Sequence, residues 1–199
     1  MDKNIVCELI CTRISHDIVG NIGAVSNAVE LLEEGDMDFI DDIKSILANS
    51  SKTLSARMKF FRLAFGLCNP NLENADMVAQ TTQNYLLTLG NKDFPITLNY
   101  NVSATEYHRS AMLMVMALAD VLIRGGDISV DDSNEVLTCK LNKNSKVSTD
   151  KLEKINSILT NGSHNNDAGL AHIVALFGYN SDKKIRLSEN GDYIMLIME

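Results

Sequence analysis

The chain has 199 residues, 45% of them apolar, and a formal net charge of −8. That length allows one large domain or two small ones, and the acidity argues against nonspecific binding to DNA or RNA, which relies on basic surface. No apolar run reaches the roughly eighteen residues of a membrane-spanning helix. Met1-Asp2-Lys3-Asn4 lacks the basic and apolar stretches of a signal peptide, so a cytoplasmic protein is expected.

The predicted elements begin with a helix over residues 3–34. Ile14, Ile18, Ile22, Val25, Val29 and Leu32 follow one another at steps of four or three and fall on one apolar stripe of a helix turning about 100° per residue. The helix ends near Gly35, and Gly35-Asp36-Met37-Asp38 reads as a turn. A second helix is expected over residues 38–67, with Ile43, Leu47, Leu54, Met58, Phe61 and Phe65 as its seam and one polar step near Ser50 and Ser51. Two long helices joined by a short turn make an antiparallel hairpin. One hairpin leaves part of its stripe bare, so a second copy is expected to close a four-helix bundle, giving a homodimer. Cys68-Asn69-Pro70-Asn71 stops the second helix, because proline lacks the amide hydrogen and disfavours helix in the residue before it. A domain boundary is placed there, with residues 1–69 and 70–199 on either side.

Beyond it the pattern changes. A helix over 75–90 is followed by the alternating strand Phe94–Tyr100. Residues 106–124 form an apolar helix in which Met112, Met114 and Met116 are expected to pack as core. Asp127–Val130 and Val136–Leu141 read as strands about the polar turn Asp131–Asn134. A helix over 150–159 takes Ser148 or Thr149 as its N-cap, a polar loop covers Asn161–Asn166, and another helix covers 167–179. Lys183–Leu187 and Tyr193–Met198 close the chain as a hairpin about Asn190-Gly191, a favoured two-residue turn. Mixed helices and adjacent hairpins predict a two-layer, largely antiparallel α/β sandwich.

Chemistry concentrates in the first helix. His16 lies about 160° from the centre of the apolar stripe and is expected to face outward, with Gly20, Gly23 and Asn27 on the same face. Glycine costs about 1 kcal/mol in a helix interior relative to alanine, and small residues beside an exposed imidazole leave room for another protein. Asp17 can orient the ring or accept its proton. Arg13, one turn earlier, can reach an anion held on the imidazole, and Thr12 offers a hydroxyl donor on the other flank. A neutral imidazole is a competent nucleophile. A surface histidine without function is the plainer reading of His16. His108 reads as a capping or surface residue, His164 as a loop residue and His172 as structural. The four cysteines, Cys7, Cys11, Cys68 and Cys139, form no CxxC pair. They read as buried thiols, and no metal site is expected.

An outward His16-Asp17 on a helical hairpin, followed by an α/β sandwich, resembles the catalytic core of sensor histidine kinases. The His16-Asp17 segment resembles their H-box, residues 109–126 their N-box helix, and Gly169-Leu170-Ala171-His172-Ile173-Val174 their second glycine box. The nucleotide-binding residues of those boxes are missing. Residues 109–126 hold no asparagine, Asn142–Val147 holds neither aspartate nor glycine, and Asn166-Asp167-Ala168 precedes a lone Gly169.

A kinase-shaped chain with its histidine kept and its boxes emptied resembles the ChpT-like histidine phosphotransferases of alphaproteobacteria, on Arg13, His16 and Asp17, on Glu30-Leu31-Leu32 and on Arg124-Gly125-Gly126. The resemblance implies an α+β chain, in which a dimeric hairpin bundle is joined to a degenerate kinase-ATPase-like sandwich. It implies a phosphoryl group accepted on His16 from the receiver aspartate of a hybrid histidine kinase and passed to response regulators. Asp17, Arg13 and Thr12 would assist, and Gly20, Asn21, Gly23 and Asn27 would form the docking face. Magnesium would come with the receiver domain, and no ATP, metal, nucleic acid or membrane binding is expected of this chain. The competing readings are an active kinase with a divergent ATP site and a non-catalytic adaptor that binds receivers.

Overall fold

A computed structural model describes residues 3–35, 39–67, 70–162 and 167–199. The turn at Asp36–Asp38, Cys68 and Asn69 of the expected boundary, and most of the loop holding His164 lie outside the described residues.

The first two helices are α1, Lys3–Glu33, and α2, Ile40–Ala64, packed along each other as the expected hairpin. Ala28 and Ile43 are buried in their seam, and Ser50, the polar step of α2, is buried as well. A small hydroxyl side chain lets the two helices stay close at that level. The apolar stripe of α1 behaves in two ways. Ile14 and Ile18 pack against the core, whereas Ile22, Val29 and Leu32 are exposed, as is Val19.

The remainder folds as α3 (Ala75–Leu86), β1 (Ile96–Asn101), α4 (His108–Val121), β2 (Gly126–Ser133), β3 (Val136–Asn142), α5 (Thr149–Asn161), α6 (Ala171–Tyr179), β4 (Ile185–Glu189) and β5 (Tyr193–Met198). The sheet runs in the order β1-β2-β3-β5-β4. Only β1 and β2 are parallel, joined through α4; the other pairs are antiparallel. Alternate residues of one face, Ile128, Val130, Leu137, Cys139, Leu141, Ile194, Leu196 and Met198, are buried, which is the period-two pattern of a sheet covered by helices on one side. The expected α+β architecture, a helical hairpin and a two-layer sandwich, is the one observed.

Local chemistry sets several boundaries. Asn74 caps α3, its side chain accepting from Met77 N, and Ser148 caps α5, accepting from Lys151 N. Gly162 ends α5 in the left-handed conformation, φ 72°, a position that glycine occupies without steric cost. Helix α3 stops earlier than its sequence pattern suggests, and 87–90 form a tight turn tied back by Leu89 N and Gly90 N to Leu86 O.

The β2–β3 turn is Asn134-Glu135, not Asp131–Asn134. Both residues have positive φ, 54° and 62°, the mirror-image turn that matches strand twist, so β2 runs on to Ser133. In the last hairpin Asn190 pairs with Tyr193, and Gly191-Asp192 is the turn. The Asn190 side chain accepts from Asp192 N and Tyr193 N, closing the turn from outside.

Three expectations about burial are corrected. Cys7 and Cys11 are exposed, since they lie off the side of α1 that meets the core; Cys139 is buried. His108 is buried, not superficial: its Nδ1 donates to Leu72 O at 2.5 Å. Met58 is 48% exposed, and the neighbouring Phe60, absent from the predicted seam, is fully buried and stacked on Tyr85 with ring centroids 4.0 Å apart. The α2 seam therefore rotates toward the sandwich near its C-terminus. Phe60, Phe61, Tyr85 and Met112–Leu118 belong to one continuous core spanning hairpin and sandwich, and Met112, Met114 and Met116 lie within it as expected.

Candidate functional site

His16 projects from the middle of α1 with 84% of its side chain exposed. It borders a cleft of about 410 Å³ between α1, α5 and the short turn Ala168–Leu170 that leads into α6. Gly20, Gly23 and Asn27 are exposed along the same helix, and Asn21 is half-buried. Apart from the helix's own backbone, no atom of the described residues lies within 4 Å of where a Cβ would stand on Gly20 or Gly23, so the face beside the imidazole is open.

Asp17 is the immediate partner of the ring. Its Oδ1 lies 3.5 Å from His16 Nδ1. A carboxylate only accepts, so this contact requires the hydrogen on Nδ1. The lone pair is then on Nε2.

Arg13 is placed differently from expectation. It is buried, not poised beside the imidazole. Its Nε donates to Asp17 Oδ2 at 2.7 Å, one terminal nitrogen donates to Asp120 Oδ2 and to the Gly169 carbonyl, each at 2.7 Å, and the other donates to Asp120 Oδ1 at 3.1 Å. Burial alone would lower its pKa. The hydrogen bonds and charge of Asp120 outweigh that and push it above the ordinary guanidinium value. Four of its five N–H donors are committed in this way, so the side chain serves as a structural cation within the fold. Thr12 is likewise committed: its hydroxyl donates to Glu8 O at 2.8 Å, inside the helix, leaving the oxygen only as an acceptor.

Several residues of this site were missed in the sequence. Asp120 on α4 grips Arg13 in a two-pronged ion pair. Gly169 presents its carbonyl to Arg13 while its own N–H is held by the Asp167 side chain at 2.9 Å. Arg57 on α2 donates to the Asp17 backbone carbonyl and, through Nε, to Thr88 Oγ1 at 3.2 Å. Lys151 and Lys154 border the cleft from α5; Lys151 donates to Asp120 O, and Lys154 pairs with Asp150 at 3.1 Å.

One sequence signal was available. Asp120 is the only charge in the apolar run between Arg109 and Arg124, and an isolated charge in a core helix demands a partner.

His172 is fully buried beneath the cleft, with Nε2 3.7 Å from Asp120 Oδ2, and neither ring nitrogen has a hydrogen-bond partner among the described residues. Burial, aided by Arg13 and Lys151 and opposed by Asp120, lowers its pKa to about 4, so the ring is neutral near pH 7. Tyr85 is also buried, its hydroxyl without a hydrogen-bond partner among the described residues, and its pKa is raised by burial and by the charge of Asp120.

No helix among the described residues is long and apolar enough to cross a membrane. No protein-family model matches the chain. The protein phosphotransferase ChpT of Brucella abortus (strain 2308) is 47% identical over 58 residues, which is 29% of this chain and 27% of that protein; the match thus spans about a quarter of the relative. A solved bacterial phosphotransferase superimposes with a TM-score of 0.74 at 19% identity, covering 100% of this chain and 98% of that one. At that identity the likeness is one of fold. The histidine kinase AdeS of Acinetobacter baumannii aligns over 92% of this chain and 95% of its own at 11% identity, with a TM-score of only 0.39, which bears no weight. The resemblance drawn from Arg13, His16 and Asp17 is borne out: the chain is ChpT-like in sequence over part of its length and phosphotransferase-like in fold over all of it.

Proposed function

We propose that this chain is a histidine phosphotransferase of a multistep phosphorelay, with His16 as nucleophile and phosphoryl carrier. The observation that carries the proposal is an imidazole with 84% of its side chain exposed, whose Nδ1 faces a carboxylate. In the first transfer the Nε2 lone pair attacks the phosphorus of a receiver aspartyl phosphate in line. The N–P bond forms as the acyl phosphate P–O bond breaks, and the aspartate leaves as a carboxylate. Asp17 holds the Nδ1 hydrogen throughout and offsets the positive charge that grows on the ring. The reverse sequence delivers the group to the aspartate of a response regulator. Such transfer depends on positioning and charge compensation, and the metal that shields the phosphoryl oxygens belongs to the receiver.

Residues 1–69 serve in this proposal as the dimerisation and phosphotransfer hairpin, and 70–199 as the kinase-like sandwich. Exposed Val19, Ile22, Val29 and Leu32 on α1, with exposed Phe39 before α2 and Ile46 on it, supply apolar surface for a second copy, so that two hairpins form a four-helix bundle. Gly20, Asn21, Gly23 and Asn27 form the face on which receivers dock. The chain needs no ATP and acts in the cytoplasm, where receivers and response regulators meet.

The test mixes the protein with a radiolabelled phosphorylated receiver, beside a control with labelled ATP alone. Acid-labile, base-stable label moving to this chain, abolished by His16→Ala and absent with ATP alone, is the expected result. Label from ATP alone would mean an active kinase. Receiver binding without transfer would mean an adaptor.

A further inference from the structure

We propose that Asp120, on the far side of the cleft in the sandwich, is a positioning residue for His16, acting through Arg13 and Asp17. The inference rests on His16 being the phosphoryl acceptor and gives the sandwich a part in that chemistry. Neighbouring residues on a helix project about 100° apart and do not face each other, so Asp17 is not a natural partner for the His16 ring. Something must turn and hold its carboxylate. Arg13 does so, taking Asp17 Oδ2 at 2.7 Å and leaving Oδ1 for the imidazole at 3.5 Å, while Arg57 of α2 binds the Asp17 backbone carbonyl.

Arg13 in turn is oriented from outside its own helix. A guanidinium is a rigid plane of five N–H donors. Asp120 takes two of its edges, at 2.7 and 3.1 Å, and the Gly169 carbonyl takes a third contact at 2.7 Å. All three acceptors belong to the sandwich, so the plane of Arg13 is fixed by α4 and by the turn before α6. The relay of contacts runs Asp120, Arg13, Asp17, His16 Nδ1, and its output is the ring tautomer with Nε2 free to attack. The helix that resembles a kinase N-box thus offers a carboxylate to the hairpin.

The test reads tautomer and transfer together. In ¹⁵N spectra of histidine-labelled protein, the Nδ1–H form of His16 is expected to dominate. Asp120→Asn is expected to shift the population toward the Nε2–H form and to slow single-turnover transfer from a phosphorylated receiver about tenfold or more. Asp120→Glu, which keeps the charge, is expected to recover part of both. A folded Asp120→Asn protein with unchanged tautomer and unchanged rate would overturn the proposal. Should that variant fail to fold, the unmodified protein decides: Arg13 must show separately resolved, slowly rotating guanidinium hydrogens, and a single averaged signal would overturn the proposal equally. A wild-type protein that takes no phosphoryl group sinks the phosphotransferase reading alone, because the tautomer and guanidinium signals need no phosphate.

Discussion

Replacing Arg13 by methionine is expected to lower the unfolding free energy by about 3–5 kcal/mol, the usual cost of breaking a buried ion pair by removing one partner. The structure places Arg13 at the severe end of surface ion pairs and beyond. Its side chain is 11% exposed, and its partners Asp17 and Asp120 are 15% and 18% exposed, so solvent screens little of the interaction. Methionine fills much of the space but leaves two carboxylates and the Gly169 carbonyl without their donor. The second half of the prediction is a recovery. In Arg13→Met/Asp120→Leu one uncompensated carboxylate is gone, and exchange of a buried pair for apolar groups is often close to neutral. The double variant should therefore regain more than half of the loss, a coupling of about 2 kcal/mol or more. Urea unfolding followed by circular dichroism, at one fixed protein concentration because self-association would shift the midpoint, measures all three free energies. A loss below about 1 kcal/mol for Arg13→Met, or strictly additive losses in the double variant, would refute the buried-pair account.

The remaining expectations concern the open face and the buried histidine. Gly20→Ala and Gly23→Ala should each stabilise the fold by about 1 kcal/mol in thermal melts, since alanine favours helix and the added methyl meets nothing within 4 Å; if receivers dock closely there, the same changes should slow transfer, and unchanged transfer would count against that face. Acidification should destabilise the protein through His172. Its folded pKa of about 4 lies below the ordinary 6.5, so the unfolded chain takes up a proton that the folded chain refuses. The stability is fully present above pH 6.5, falls as pH drops through that window, and is lower by about 3 kcal/mol at pH 4. His172→Leu should flatten the stability-against-pH curve over this range, and parallel curves for variant and wild type would contradict the assignment.

The hairpin was legible because its stripes repeat over many turns, and His16 was legible because its outward direction follows from those stripes alone. The strands were legible from alternation, and the N-cap at Ser148 from local chemistry, whereas α5 runs on to Asn161, which the sequence placed in the following loop. What the sequence hid was pairing between segments. Arg13 lies one turn from His16, and proximity along the helix drew attention to that neighbour; its ion-pair partner Asp120 is brought up only when α4 packs against the hairpin. Phe60 escaped the predicted seam for the same reason, since its stacking partner Tyr85 comes from another element. The turn Asn134-Glu135 was misplaced because glutamate is a poor marker of positive φ. Cys7 and Cys11 were misjudged because a thiol's preference for burial says nothing of which helix side meets a neighbour.

A domain that ferries a nucleotide to a histidine has to leave and return on every cycle. Here the bond between hairpin and sandwich is an unbroken interior, with Phe60 stacked on Tyr85 and both fully buried. Wetting those two side chains alone costs about 3–6 kcal/mol, which leaves fewer than roughly one molecule in a hundred apart at any moment. The sandwich is thus a bracket, not an arm. If His16 carries a phosphoryl group as proposed, such a chain has no internal clock, and the tempo at His16 is set by how often its partners arrive.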